Sequence, residues 1–149
     1  LSSSYVRTQV KTFLSANSSE DFIDLTGQYL TIKEVTSNAG LGYKDPWVGI
    51  QFVGNNEDAQ TITSTNNAGR YRELGGVLLH VVARASSTVA DDVLTRCETL
   101  RDLLRGRRIN DVVIESVTPP NFEQGATLDL ESGYISASII VNYYRDLNL

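Results

Sequence analysis

Between Tyr71 and Arg108 the hydrophobic period of the chain changes from that of a strand to that of a helix, and no other feature limits the fold as much. In Tyr71 to Ala85, the residues Val77, Leu79, Val81, Ala83 and Ala85 occupy alternate positions and predict the apolar face of one long strand. Leu78, His80, Val82 and Arg84 fall on the opposite, mixed face. From Val89 onward the spacing becomes helical, with Val89, Val93, Cys97, Leu100 and Leu104 on one stripe. Thr88 is the expected N-cap, and Asp91 completes a capping box in which each residue satisfies the other's backbone donor. Asp91 and Asp92 suit the positive first turn, and Gly106 is placed to end the helix.

The remaining elements follow from the same two periods. Val6, Val10, Phe13 and Leu14 predict a helix over Ser4 to Ala16, behind a serine run that can cap it. Asn17 to Gln28 is irregular, Tyr29 to Val35 reads as a short strand, and a loop rich in turn residues runs on to Pro46. Trp47 to Val53 alternates, with Val48, Ile50 and Phe52 on one side. The run Gly54 to Ala59 is expected to break that strand, Gln60 to Thr65 to return as a β-prone arm, and Asn66 to Gly69 to turn again. Strands and arm together suggest a protruding hairpin. Asp111 to Val117 is a strand, and Pro119 to Ser132 a loop with room for a short strand. The last strand, Gly133 to Tyr144, points Ile135, Ala137, Ile139, Val141 and Tyr143 to the core. Tyr134, Ser136, Ser138, Ile140, Asn142 and Tyr144 point the other way.

Two helices cannot cover both faces of so much strand. The expectation is one α+β domain over residues 1–149, a single mixed or antiparallel β-sheet with two main helices packed on one face. A chain of 149 residues is about one ordinary domain, large enough to hold a core without disulfides or metal. No apolar run reaches the length of a membrane helix. The first residues lack the basic-then-apolar layout of a secretory signal, and one cysteine cannot make an internal disulfide, which fits a reducing cytoplasm. A net charge of −5 argues against a protein whose main work is gripping nucleic-acid phosphates.

The chemistry-bearing residues point away from catalysis. His80 is the lone imidazole, so any Ser-His-Asp or Cys-His mechanism must use it. It sits mid-strand on the mixed face, while Cys97 lies on the apolar stripe of the second helix, where a cysteine acts as a small hydrophobe. With that helix on the Val77 face the two side chains cannot meet. One His and one Cys cannot supply a zinc site, and the carboxylates do not follow a calcium-loop pattern. No cofactor is expected. Gly40 and Gly42 precede a strand rather than the helix that phosphate cradling requires. The basic run Arg101 to Arg108 complements a helix C-terminus, or offers an anionic contact to a neighbour. The acidic run Asn55 to Asp58 reads as a solvated turn, or in a ring as a contact reaching the channel or the next ring. The mixed sheet face suits contact with another subunit, with a solvated face as the alternative.

Four stretches, "DPWVGIQFV", "YRELGGVLLHVVARASSTVADDVLTRCETLRDLLRGRRI", "VTPP" and "GYISASIIVNYYRD", together resemble the tail terminator (tail completion) proteins of long-tailed bacteriophages. The likeness is one of layout and residue type. It covers most of the chain from Asp45 onward plus the N-terminal helix, and Ser18 to Tyr43 has no counterpart in it. The resemblance implies a structural virion protein of the tail or neck, assembled in the host cytoplasm, which forms a ring of commonly six copies on the tail tube. That ring ends tube polymerisation and joins the tube to the neck or head connector protein, while DNA passes through its opening. It implies no catalytic residues. Asn55, Glu57, Asp58, Arg70, Arg72, His80, Arg84, Tyr134 and Tyr144 are the expected subunit or tube contacts. Acidic residues in the 54–69 or 119–132 loops are expected to border the channel, where repulsion keeps phosphates off the wall. The alternatives are another head–tail neck protein or a tube-forming subunit, and, from a different class, a small-molecule-binding or enzymatic α+β domain.

Overall fold

The computed structural model describes residues 4–26, 35, 46–62, 69–84, 89–122 and 133–148. Helix α1 spans Ser4–Asn17, close to the expected range, and buries Val6, Val10 and Leu14. Strand β1 (Phe22–Asp24) follows, then the two longest strands, β2 (Trp47–Ile62) and β3 (Gly69–Arg84). Helix α2 (Val89–Leu104) buries all five residues of its expected stripe. After it come β4 (Arg108–Ile109), β5 (Val112–Val117), β6 (Asn121–Phe122) and β7 (Tyr134–Asn148). The Thr88 cap, Ala85, most of Tyr29 to Pro46 and the Asn66 to Ala68 turn lie outside the described residues.

Among the described residues seven strands form one sheet in the order β1-β2-β3-β7-β5-β4, with β6 beside β5 on the same flank of β7. All described pairings are antiparallel except β1 with β2, so the protein is α+β with a mixed sheet. The sheet curls into a half-barrel, which corrects the simpler expectation of a sheet with helices laid on one face. Twist accumulates across strands of this length, and register shifts at Val53/Asn55, Ala59/Thr61 and Ile114/Ser116 bend them further.

One core joins the stripes of both helices to the inner residues of the sheet: Val48, Ile50 and Phe52 of β2, Val77, Leu79, Val81 and Ala83 of β3, and Ala137, Ile139, Val141 and Tyr143 of β7. Period-two alternation therefore names the inner face correctly in all three strands. The ends of α1 are fastened by charge. Arg7 and Lys11 reach Asp24 of β1 at 2.8 and 3.2 Å, while Arg145 of β7 stacks 4.1 Å from the Tyr5 ring centroid. At the C-terminus of α2, Gly106 takes a left-handed φ of 69° as expected, and the Arg107 amide closes the turn by donating to the Leu104 carbonyl.

Two expectations are corrected in the hairpins. Gly54 to Ala59 does not break the strand: β2 runs through it, pairing Asn55 with Gly75 and Asp58 with Arg72. Gly54, at a φ of 64°, absorbs the irregularity as a bulge; Gln60 to Ile62 continue β2, the strand that returns along it is the first part of β3, and 63–65 lie outside the described residues. Arg108 and Ile109 leave the helix end to form their own strand. They turn back through Asn110, at a φ of 51°, and Asp111 to meet Val113 and Val112.

Candidate assembly surface

The outer face of the half-barrel is built from the residues that alternate with the core positions. Register brings them into rows across the strands. Gln51, Leu78 and Ile140 form one row; Gly49, His80, Ser138 and Asn121 form the next. Leu78, His80 and Ser138 are half-buried, while Ile140 is 40% exposed and Asn142 is also open to solvent. Polar contacts tie these rows together. His80 Nε2 lies 3.3 Å from Gln51 Oε1, the Asn142 amide donates to Ser116 Oγ at 3.1 Å, and the Ile140 amide donates to Thr118 Oγ1 at 2.9 Å. Toward the far end Arg72 makes a two-pronged contact with Asp146, at 2.9 and 3.3 Å, and stacks 4.1 Å from the Tyr144 ring centroid. The hydrogen bond to Asp146 raises the pKa of that guanidinium.

The other end of this face is closed by the chain itself. Trp47, Val82, Tyr134 and Val35 are buried in a second apolar cluster, flanked by Ile23 and Leu25. Gly49 makes the closure possible: a Cβ there would sit 2.5 Å from Leu25 Cδ1. The outer face is thus part interior and part surface. Its closed end packs Trp47, Val82 and Tyr134 beside the buried Ser136, and its open end mixes Leu78 and Ile140 with the polar groups of Gln51, His80, Ser138 and Asn142.

The expected contact residues separate accordingly. Arg72, His80 and Tyr144 stand on the open end. Tyr134 is only 1% exposed in the second cluster, so it is a packing residue and not a contact. Arg84 is opposite Tyr134 in register, beside Gly133 and away from the open rows. Asn55, Glu57 and Asp58 occupy the outer half of β2, and Arg70 the start of β3, with their side chains outside the described part. The expected channel loops change in kind. Residues 54–62 are strand and Asn121–Phe122 are β6, while 63–68 and 123–132 lie outside the described residues. Gln51, Ser116 and Thr118 were not among the expected contacts. The first shares the face through its alternation in β2, a signal already in the sequence, whereas Ser116 and Thr118 depend on the β5 register.

His80 and Cys97 stay on opposite sides of the sheet. The Cys97 thiol is buried in the inner core, 3.8 Å from the Ala137 carbonyl that accepts from it. Among the described residues no three His, Cys, Asp or Glu side chains come together to hold a metal ion. No described helix is long and apolar enough to cross a membrane. No protein-family model matches the chain, and no curated protein matches it.

Proposed function

We propose that this chain is a structural subunit of a phage tail, a tail terminator that forms a ring on the end of the tail tube. In this reading six copies cap the tube, stop its polymerisation and offer a surface to the neck or head connector protein. DNA passes the ring without being bound. The protein has its place in the virion and performs no catalysis.

The observation that carries the reading is the open end of the outer sheet face. Leu78 and the exposed Ile140 sit there among His80, Asn142, Ser138 and Arg72 over two adjacent strands. Such a mixture of apolar and hydrogen-bonding groups fits a subunit contact better than bulk water. The likeness to tail terminators, over most of the chain from Asp45 onward plus the N-terminal helix, supplies the kind of assembly. The separation of His80 from Cys97 agrees with a structural role.

Purified tail tubes imaged with and without the protein test the proposal. The expected result is density at one tube end and loss of further tube growth. Long cylinders formed by the protein alone would instead assign it as a tube subunit. Salt-sensitive DNA binding in the micromolar range would remove the passive-channel part, because such binding requires a basic wall.

A further inference from the structure

Charge is spread unevenly along the chain. Arg101 to Arg108 carries four arginines and one carboxylate, a net +3, so the rest of a chain of net charge −5 carries −8. The fold holds this block at the β4 end of the sheet, where α2 stops. A helix C-terminus favours cations within its last turn, and Arg101 meets that need. Its Nε donates to the Val117 carbonyl at 3.1 Å, which ties α2 to β5. Arg105, Arg107 and Arg108 come after the helix and are exposed. Arg105 reaches Asp102 at 3.2 Å, a solvent-screened pair of little strength. Arg107 and Arg108 each donate through Nε to a carbonyl, that of Leu103 at 3.2 Å and that of Asn110 at 3.1 Å. The Arg107 guanidinium also lies 5.5 Å from the Phe13 ring centroid, and Asp111, in the β4–β5 turn, accepts from Tyr5.

A guanidinium anchored through Nε is fixed in orientation, and among the described residues no bond engages the paired Nη groups of Arg107 or Arg108. Such a fork matches a carboxylate, which it holds with two parallel bonds. Register carries this edge into the outer face. Arg108 pairs with Val113, Val113 with Tyr144, and Tyr144 with Leu74, the last three half-buried. An apolar row rimmed by arginine has the composition of a protein contact. Its occupant has to offer carboxylates, and a second copy does, since the chain outside the block carries −8. Two blocks brought face to face repel each other. We propose that the Arg105–Arg107–Arg108 block binds carboxylates of a second copy of this chain, with Arg107 and Arg108 as the bidentate donors. A contact between unlike patches builds a ring or a filament and not a two-fold dimer. The proposal rests on the assembly reading above and names the surface that carries it.

Two variants test it by sedimentation velocity at low and high salt. Arg107→Gln with Arg108→Gln removes the charge, whereas Arg107→Lys with Arg108→Lys keeps the charge and removes the fork. The expected result is salt-sensitive association of the wild type, association at least roughly tenfold weaker in the glutamine variant, and an intermediate value in the lysine variant. The lysine variant also maps the acceptor: a carbodiimide, which joins amines to carboxylates, should link its new amines to carboxylate peptides of an isotope-labelled second copy. Thermal unfolding shows whether each variant is folded, and if the glutamine variant is not, the lysine variant decides alone. Undiminished association of the folded variants, or no such linked peptides, overturns the block assignment and leaves the assembly reading standing. A wild type that stays monomeric at about millimolar concentration and does not add to tail tubes overturns both. A monomer that binds tubes or DNA through these arginines overturns the second copy as the occupant.

Discussion

Gly75 and Gly76 are adjacent on β3, yet their replacement by alanine is expected to have opposite effects. Gly75 pairs across the ladder with Tyr143, whose buried ring lies over it. A Cβ at Gly75 would meet the Tyr143 hydroxyl, and would be 2.5 Å from Cζ and 2.8 Å from Cε1 of the same ring. The ring is enclosed in the core, so it has little room to withdraw. Overpacking of this kind costs about 1–3 kcal/mol, and loss of glycine's freedom in the unfolded chain returns about 0.4–1 kcal/mol. The balance for Gly75→Ala is a destabilisation of roughly 1–2 kcal/mol, or roughly 2–8 °C in Tm for a chain of this size. At Gly76 the nearest atoms, the Val53 Cγ2 and carbonyl oxygen, are 3.5 Å away, an ordinary contact. Gly76→Ala is therefore expected to be neutral or to stabilise by about 0.4–1 kcal/mol. Equilibrium urea unfolding of both variants measures the difference. Pairing Gly75→Ala with Tyr143→Leu should recover stability, with a coupling of about 1 kcal/mol or more. A Gly75→Ala protein as stable as Gly76→Ala would refute the account of the ring as the obstacle.

Two further outcomes rest on the anchors around the sheet. Burial pushes the Asp24 carboxyl up, but hydrogen bonds from the Thr26 amide and hydroxyl, and from Arg7 and Lys11, outweigh it and hold the group at about 2. Its folded value lies below its unfolded one, so the stabilisation is complete above the ordinary carboxylate pKa and is lost as pH falls through about 2. Asp24→Asn should remove about 2 kcal/mol at neutral pH, and the gap to wild type should narrow between about pH 4 and 2 in acid-unfolding curves; a gap independent of pH would refute the assignment. Trp47 is the lone tryptophan and is 1% exposed beneath the outer cluster, so its emission reports on that cluster. Iodide should fail to quench it in the native protein, and Val82→Ala should make it quenchable while costing about 1–3 kcal/mol of stability; native-state quenching in the wild type would show that the cluster is open.

The sequence carries most of the helical and inner-strand assignments because they depend on local period alone. Val89 to Leu104 and the alternating core residues of β3 and β7 needed no knowledge of partners. The β2 strand did: Gly54-Asn55-Asn56-Glu57-Asp58 has the local chemistry of a turn, and only pairing with Gly75 to Arg72 carries the strand through it. The β4–β5 hairpin was legible in part, since Asn110-Asp111 is a two-residue turn pair, but the preceding arginines read more naturally as a helix end. For the candidate surface, alternation identified which residues point outward. It could not show that Val35 and Leu25, distant in sequence, bury Tyr134 and Val82. Covering of one face by remote segments leaves no mark in the period of the strand being covered.

The place of β7 in the strand order has a consequence for how the molecule comes together. The last of the described strands fills the middle of the sheet, between β3 and β5. Before it arrives, β2 and β3 can zip locally, while β5 has no neighbour but the two-residue β4 and α2 has no Ala137 to rest on. Partners on β3 and β7, from Arg84 with Tyr134 to Arg70 with Asn148, are far apart in sequence and must find each other late, which slows the closing step and leaves the β3 and β5 edges bare in the interval. A nascent chain of this design is most vulnerable to sticking to its neighbours just before β7 is made.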